Sequence, residues 1–402
     1  MGTGFFPLDE ELELLPGKLT PKGYEQLVRV SSWMPFRRAV EMFGEFTGIK
    51  VSKIVSQRNT EKAGAVYEEI QKAEVEWLQK KMPRALLHPQ KLQISADGAM
   101  VPLVHGIWAE VKTLVIGEVQ PAVREKGEMV VHTRKLSYFS RKVSSEEFET
   151  ASLGEMHRRG VQNAKAVAAV MDGAEWEQSF IDYHCPRAVR ILDFAHAAEH
   201  VNQVGEFLYG EHTAESQAWL KECLHQLKHE GPKKLLLEMQ KLQKKHPKDK
   251  QITGNFAYLK KREKQIQYPT FQAQGWPIGS GIVESGNKLV VEARLKGAGM
   301  HWAEQHVNPM LALRNIICSD RWPEEWSKIE AGIRKQKLKT PEAAPSKVIT
   351  GAEAIRLILQ EKLSSGDHLL ETALDPKKPK PNPWRNFKFG KSLYQRQDLP
   401  KL

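Results

Sequence analysis

The chain has 402 residues, of which 41% are hydrophobic, so it can form two or three globular domains and is not a disordered protein. Lys and Arg outnumber Asp and Glu by 60 to 49, and the net charge of +11 favours a polyanionic partner, most simply nucleic acid. The three cysteines are far apart and indicate neither a disulfide framework nor a cysteine zinc site. No apolar run approaches the ~20 residues of a membrane span, so we expect a cytoplasmic location and no membrane partner.

The first 90 residues have helical periodicity. Apolar positions recur from Phe36 up to Gly48, and Ser52 is a plausible N-cap for a second helix. Together these two helices are either a helix-turn-helix that binds DNA or an ordinary helical hairpin. A third helix is expected to end before Pro83 and to place a stripe of residues in the core. This stripe consists of Val66, Ile70, Ala73 and Trp77.

From residue 92 the pattern changes to that of a β-sheet. Helices are expected at about 144–163 and 176–184. The resulting order β-β-β-α-β-α-β predicts a mixed α/β sheet of the ribonuclease H-like type, in which the middle of the first strand lies beside the end of the fourth. Asp97 and Asp172 would then be neighbours, and two adjacent carboxylates favour Mg²⁺ because their charges otherwise repel. The predicted strands cover residues 92–103, 107–119, 129–139, 166–172 and 188–196.

An all-helical insertion is predicted after the fifth strand, with helices at 214–230, 232–246 and 249–267. From Trp219 to Gln265 there are thirteen Lys or Arg residues against five Asp or Glu. This charge favours either a solvated, lysine-coated helical hairpin or a surface that binds the phosphate backbone of nucleic acid. The candidate phosphate contacts in the insertion are Lys260, Lys261 and Arg262.

Residues 276–302 form a short predicted helix between glycine-rich ends, with Ser280 as a possible N-cap. On this helix, Glu284 would lie on the same side as Asn287, Lys288 and Val291. Leu289 would belong to the opposite, apolar side. Glu284 is therefore either an ordinary surface residue or part of a site. A closing core helix is expected at 309–319, with Trp322 and Trp326 packed over it.

Several sequence blocks resemble DDE transposases of bacterial insertion sequences, specifically the ISKra-type family, which is related to Mutator-like transposases. With Phe6-Pro-Leu-Asp-Glu-Glu and Trp33-Met-Pro-Phe, the resemblance covers roughly residues 4 to 326. The block around Glu284 is the most specific, whereas an Asp-Gly pair alone would carry no information. The main blocks are Ser95-Ala-Asp97-Gly-Ala-Met-Val-Pro, Met171-Asp172-Gly-Ala, Asp193-Phe-Ala-His196, Pro277-Ile-Gly-Ser-Gly-Ile-Val-Glu284 and Arg294-Leu-Lys-Gly-Ala-Gly-Met-His-Trp302.

The resemblance implies a DNA transposase that cleaves and joins DNA at element ends with two Mg²⁺ or Mn²⁺ ions. Carried over by position, Asp97, Asp172 and Glu284 are the catalytic carboxylates and the metal ligands. Asp193 remains an alternative to Asp172. We prefer Asp172 because its strand is the fourth, and because related transposases have a Cys/Asp-x-x-His element downstream of the second catalytic Asp, which Asp193 and His196 match.

Three further side chains of the matched blocks have two interpretations each. His196 is a candidate to orient the scissile phosphate or a flipped base, or it is a buried structural histidine. Lys288 and Arg294 are candidate DNA phosphate contacts or ordinary surface cations.

The expected organisation combines a helical N-terminal region with a catalytic core in two parts. Relatives usually have a Cys-rich segment before Phe6, and its absence puts recognition of element ends in doubt. The alternatives are a shortened, non-catalytic DNA-binding remnant and a nuclease without strand transfer. Because a transposase acts on two DNA ends, a homodimer or higher multimer is expected in association with the nucleoid. The predicted regions are 1–90 (helical), 91–205 (core, first part), 206–274 (helical basic insertion), 275–330 (core, second part) and 331–402 (basic, partly disordered tail with one expected helix at 350–363).

Overall fold

The fold is built on a mixed sheet of five strands, in the order β5-β2-β1-β6-β7. These strands are β1 (Lys91–Pro102), β2 (Trp108–Val119), β5 (Thr133–Arg141), β6 (Ala166–Met171) and β7 (Val189–Leu192). The computed structural model describes Leu15 and residues 19–125 and 127–339. Strands β1, β2 and β5 are antiparallel, whereas β6 is parallel to β1 and β7 is parallel to β6. The other strands of the described residues are β3 (Val123–Glu125) and β4 (Glu128–Val130), which pair with each other.

Helices cover both faces of this sheet, and the helices of the N-terminal region form a bundle. A π-helix, Asn287–Glu292, directly follows the short α-helix Gly281–Gly286. The α-helices of the described residues are α1 (Pro21–Trp33), α2 (Phe36–Thr47), α3 (Lys53–Lys81), α4 (Ser145–Ala151), α5 (Leu153–Arg158), α6 (Glu175–His184), α7 (Phe194–Tyr209), α8 (Ala214–His229), α9 (Pro232–Lys245), α10 (Lys250–Lys261), α11 (Tyr268–Ala273), α12 (Gly281–Gly286), α13 (Ala293–Leu295), α14 (Glu304–Cys318) and α15 (Trp322–Lys339).

The alternation of apolar residues in β1 explains why both faces of the sheet are covered. Leu92 and Ile94 pack into a cluster with Phe148 and Phe180 of α4 and α6. Val101 points to the other face, into a cluster formed with residues of 283–311, because successive side chains of a strand alternate between the two faces. The predicted mixed α/β class is therefore confirmed.

The pairing of β1 with β6 positions the two predicted carboxylates. The hydrogen-bonded register ends at Ile94 opposite Ala169. Asp97 and Asp172 each come three residues after this last pair, Asp97 still within β1 and Asp172 directly after β6. The two strands are thus neighbours, as the element order predicted.

Two predicted strands are shorter in the structure. The third predicted strand is divided, because Glu128–Val130 pairs with β3 in a separate hairpin and only Thr133–Arg141 joins the main sheet. The last predicted strand ends at Leu192. Asp193 follows it as the N-cap of α7, so His196 is helical.

The predicted ends of the N-terminal helices are confirmed, but their predicted number is wrong. Gly48 ends α2 with a φ of 72°, and the Ser52 hydroxyl accepts a hydrogen bond from the Val55 amide at 3.3 Å. The second and third predicted helices are one continuous helix, α3. Of the predicted core stripe, Val66 is buried, but Ala73 is exposed and Trp77 is 52% exposed, so these two do not belong to the core.

The insertion packs on the sheet through α7, which crosses the predicted boundary at residue 206. Val201 and Val204 of α7 pack in one cluster with Leu227 of α8 and Leu259 of α10. The predicted helix 249–267 ends at Lys261 and is followed by a 3₁₀ turn, Glu263–Gln265.

The closing helix α14 packs with Trp322 and Trp326 as predicted, and their rings stack 5.2 Å apart. The next helix, α15, continues to Lys339, so the first part of the predicted tail is helical. The rest of that tail, including the helix expected at 350–363, lies outside the described residues.

Candidate functional site

An acidic cleft of about 730 Å³ lies beside the middle of β1 and the end of β6. Asp97 and Asp172 both line it. Tyr258 and Lys261 of α10 and Arg262, the residue directly after this helix, also line it. The fold therefore brings two of the sequence-predicted carboxylates into one opening.

Asp97 is held by donors on two sides. Its Oδ1 accepts a hydrogen bond from the Gly98 amide at 2.6 Å, and its Oδ2 accepts one from the Asn287 side chain at 2.9 Å. Burial raises the pKa of Asp97, these two hydrogen bonds oppose the rise, and the charges of Glu110 and Glu284 add to it. The ionised form of Asp97 is thus destabilised by its surroundings, and a positive charge in the cleft would stabilise it.

The pKa of Asp172 is raised more strongly than that of Asp97. Burial raises its pKa to about 6, and the negative charges of Asp97 and Asp193 contribute to the rise, whereas His196 acts in the opposite direction. Because burial and like charges both disfavour the ionised form, this carboxyl also favours a cationic partner.

Glu177 is a further carboxyl of the cleft that sequence reasoning missed, as it missed Glu110 and Glu175. It is 2% exposed, and its Oε2 accepts hydrogen bonds from the Gly173 and Ala174 amides at 2.8 and 3.1 Å. Burial, followed by the charge of Asp172, raises its pKa to about 8. The sequence signal for this residue was weak: Glu177 is the third residue of α6, where a Glu side chain can accept from the backbone before the helix, but Ala174 at the N-cap cannot complete a capping box.

Glu284 is close to the cleft and does not line it. Its side chain is 67% exposed and forms an ion pair with Lys288. Its charge nevertheless contributes to the pKa of Asp97. Among the residues that the structure describes, no three His, Cys, Asp or Glu side chains are grouped closely enough to hold a metal ion. The structure thus brings Asp97 and Asp172 together, with Glu284 nearby but turned towards Lys288.

The π-helix after Glu284 changes which residues face the sheet. Asn287 is 6% exposed and reaches Asp97, although it was expected on the same side as the exposed Lys288. Val291 is fully buried, whereas Leu289 is 37% exposed, so both lie opposite to their predicted sides. The wider turn of a π-helix rotates these positions, and such turns are frequent at functional sites. The predicted N-cap Ser280 makes no side-chain capping hydrogen bond.

Asp193 has a structural role in this arrangement. Its Oδ2 accepts a hydrogen bond from the His196 amide at 3.0 Å, and its Oδ1 accepts one from the Ser280 amide at 2.8 Å. Asp193 therefore starts α7 and fixes the segment that leads to Glu284. The His196 ring lines the acidic cleft, with its centroid 5.0 Å from that of His200.

Arg294 lies in the core, which corrects its assignment as a DNA contact. It is 1% exposed, its Nε donates to the Ser31 carbonyl at 3.0 Å, and its guanidinium lies 4.7 Å from the Phe36 ring and 5.0 Å from the Trp302 ring. Burial, followed by the charge of Arg314, lowers its pKa to about 10. Arg294 joins the N-terminal helices to the segment after Glu284, and a DNA phosphate could not reach it without repacking.

The other predicted DNA contacts fall into two groups. Arg262 is 7% exposed and bonds to the backbone of the cleft, so it too is not a surface cation. Lys260, Lys261 and Lys288 are on the surface, with side chains 54%, 65% and 64% exposed, and each forms an ion pair.

None of the described helices is both long and apolar enough to cross a membrane. No protein-family model matches this chain, and neither does any curated protein.

Proposed function

We propose that this chain is a DDE transposase that cleaves and joins DNA at the ends of an insertion sequence in a metal-dependent reaction. The observation that carries the proposal is the pair of Asp97 and Asp172, which line one cleft, Asp97 from within β1 and Asp172 directly after the neighbouring parallel strand β6. Both carboxyl groups have raised pKa values, which is common for residues that take part in chemistry. The sequence blocks that resemble this family contain both residues.

The proposal includes a ribonuclease H-like fold for the catalytic core. Three antiparallel strands followed by two parallel ones, in the order β5-β2-β1-β6-β7, support this assignment. The helices α8 to α10 lie in the chain between Asp172 and Glu284, which agrees with an all-helical insertion before the third carboxylate.

The donors of the cleft fit a hard divalent cation such as Mg²⁺ or Mn²⁺. Carboxylate oxygens are the ligands that such ions prefer, and a cation would offset the burial and like charge that raise the pKa values of Asp97 and Asp172. Asp97 and Asp172 would hold the ions, with Glu284 as the third carboxylate of the proposal. Two bound ions would supply activation of the attacking water and stabilisation of the departing 3′ oxygen.

The remaining residues orient these carboxylates and the DNA. Asn287 and the Gly98 amide fix both oxygens of Asp97, which limits the orientations of its carboxylate. Asp193 accepts a hydrogen bond from the Ser280 amide and so positions the start of the helix that carries Glu284. Because Asp193 has this structural role, we assign Asp172 rather than Asp193 to the chemistry. Lys260, Lys261 and Lys288 are the exposed cations proposed to contact DNA phosphates. Two DNA ends must be processed together, so we propose a homodimer or higher multimer.

The experiment incubates the purified chain with labelled DNA from both sides of its own coding sequence, in Mg²⁺, in Mn²⁺ and in EDTA. Cleaved and joined products that require either metal support a transposase. Cleavage without joined products instead indicates a nuclease. DNA binding without cleavage in either metal contradicts both enzymatic functions and leaves a DNA-binding protein.

A further inference from the structure

Helix α10 of the insertion contacts the turn that carries Asp172 at two backbone carbonyl groups. The Tyr258 hydroxyl donates to the carbonyl of Asp172, and Nη2 of Arg262 donates to the carbonyl of Gly173. Gly173 has a φ of 82°, and a Cβ atom there would lie 2.6 Å from Nε of Arg262 and 2.9 Å from the Tyr258 hydroxyl. The turn and the helix are therefore as close as a glycine allows.

Tyr258 and Arg262 are themselves held in place. The guanidinium carbon of Arg262 lies 3.6 Å from the centre of the Tyr258 ring. The His200 ring stacks on Tyr258 at 3.9 Å, and Nδ1 of His200 is 2.6 Å from Oδ1 of Asn255. A tyrosine packed against an arginine and a histidine has few rotamers available, so its hydroxyl is fixed in direction.

The other side of the same turn is held by Glu177, which accepts hydrogen bonds from the Gly173 and Ala174 amides. The backbone of residues 172–174 thus has defined partners on both sides, one set from α6 and one from the insertion. The position of Asp172 depends on both.

We propose that Tyr258 and Arg262 are positioning residues that fix Asp172 for the chemical step, so that the insertion acts on catalysis and not only on DNA binding. The inference rests on the proposed function of the cleft. It also assigns Arg262 a different role from the DNA contact expected from the sequence, because its guanidinium binds backbone and an aromatic ring inside the protein.

The test compares Tyr258→Phe and Arg262→Lys with wild type and with Tyr209→Phe, a matched control at a residue 45% exposed on α7. Tyr258→Phe removes only a hydroxyl. Arg262→Lys keeps the charge but loses the planar group that reaches Gly173 while stacking on Tyr258. Three quantities are measured: amide hydrogen exchange of peptides covering 172–176, DNA affinity, and the single-turnover cleavage rate at saturating DNA.

Both variants should exchange faster in that peptide and should cleave about 10- to 100-fold more slowly, because small displacements of a catalytic group have effects of this size. DNA affinity should stay within about twofold of wild type, since no phosphate contact is removed. Tyr209→Phe should match wild type in all three quantities. An unchanged exchange rate or an unchanged cleavage rate would overturn the inference, and so would a loss of DNA affinity that accounts for the lower activity.

The exchange measurement needs neither metal nor DNA, so it separates this inference from the proposed function. If wild type cleaves no DNA, the proposed function fails, and exchange alone then decides whether α10 orders the turn. Unchanged exchange in both variants would mean that it does not.

Discussion

At the scale of single residues, the carboxyl groups of the acidic cleft carry more negative charge than the neighbouring protein groups stabilise. Asp97, Asp172 and Glu177 all have raised pKa values, and burial is the largest cause in each case. Such carboxyl groups weaken the folded state when they ionise, because folding removes them from water. The cleft therefore combines a cost in stability with an electrostatic preference for cations.

Replacing Asp172 by Asn should stabilise the metal-free protein at neutral pH. The folded-state pKa of Asp172 is about 6, above the usual 3.8, so the folded protein binds this proton more tightly than the unfolded chain does. The protonated carboxyl therefore contributes its full stability below about pH 4, and this contribution is lost as the pH rises through about 6. Asp172→Asn should thus equal wild type near pH 4 and exceed it by about 1–2 kcal/mol above pH 6, after allowance for solvent screening of a partly exposed group. Urea unfolding of both proteins in EDTA measures the difference. Glu211→Gln, at an exposed turn, is the control, and a difference that does not change with pH would contradict the prediction.

Glu177→Gln should remove a second pH dependence of the stability, which extends to higher pH than that of Asp172. The folded-state pKa of about 8 lies above the usual 4.5, so wild type loses stability as the pH rises between these values and reaches a constant level above about 8. The amide oxygen of Gln can still accept from the Gly173 and Ala174 amides, so the variant should gain stability relative to wild type across this range. Thermal unfolding in EDTA at pH 5, 7 and 9 measures the gain. Equal slopes for the two proteins would show that Glu177 is ionised throughout.

At the scale of elements, the close crossing of α3 and α14 depends on a single glycine. A Cβ atom at Gly64 would lie 2.1 Å from the backbone carbonyl oxygen of Pro309, which cannot move without shifting α14. Gly64→Ala should therefore destabilise the protein by about 1–3 kcal/mol or more, although alanine is the better helix former. Gly44→Ala is the matched control, since its nearest contact would be an ordinary 3.5 Å and it should be neutral or stabilising. Chemical unfolding of both variants gives the two values, and equal effects would contradict the predicted contact.

Element ends were predictable where one residue type has a specific backbone role. Gly48 ends α2 in the left-handed region, and Ser52 caps α3, as the sequence indicated. The continuity of α3 was not predicted, although its polar residues Asn59 and Thr60 have defined places in the structure. Both are buried, and the Asn59 carbonyl accepts a hydrogen bond from Tyr24 of α1, a partner 35 residues away.

The π-helix was also beyond a sequence-based prediction. A template with 3.6 residues per turn assigns Asn287 and Val291 to the same side as Glu284, whereas the wider turn moves them to the sheet. Arg294 shows the same limitation at longer range. Its burial depends on Phe36 and on the Ser31 carbonyl, which lies 263 residues away.

At the scale of the whole molecule, the order of strands and helices was enough to predict the sheet class and the neighbouring positions of β1 and β6. It was not enough to predict the contacts between the insertion and the sheet. Those contacts place Tyr258 and Arg262 against the turn that follows Asp172. The insertion is thus part of the cleft wall, in addition to carrying the exposed Lys260 and Lys261.

The most direct test of the account is metal-dependent processing of labelled DNA from both sides of the coding sequence by wild type and four variants. These are Asp97→Asn, Asp172→Asn, Glu284→Gln and Asp193→Asn. We predict that the first three abolish cleavage, by at least about 10³-fold, while DNA binding is retained. Asp193→Asn should keep measurable activity, because its carboxylate caps α7 and lies outside the cleft. Full activity of Asp97→Asn or Asp172→Asn would contradict the assignment of the acidic cleft as the catalytic site.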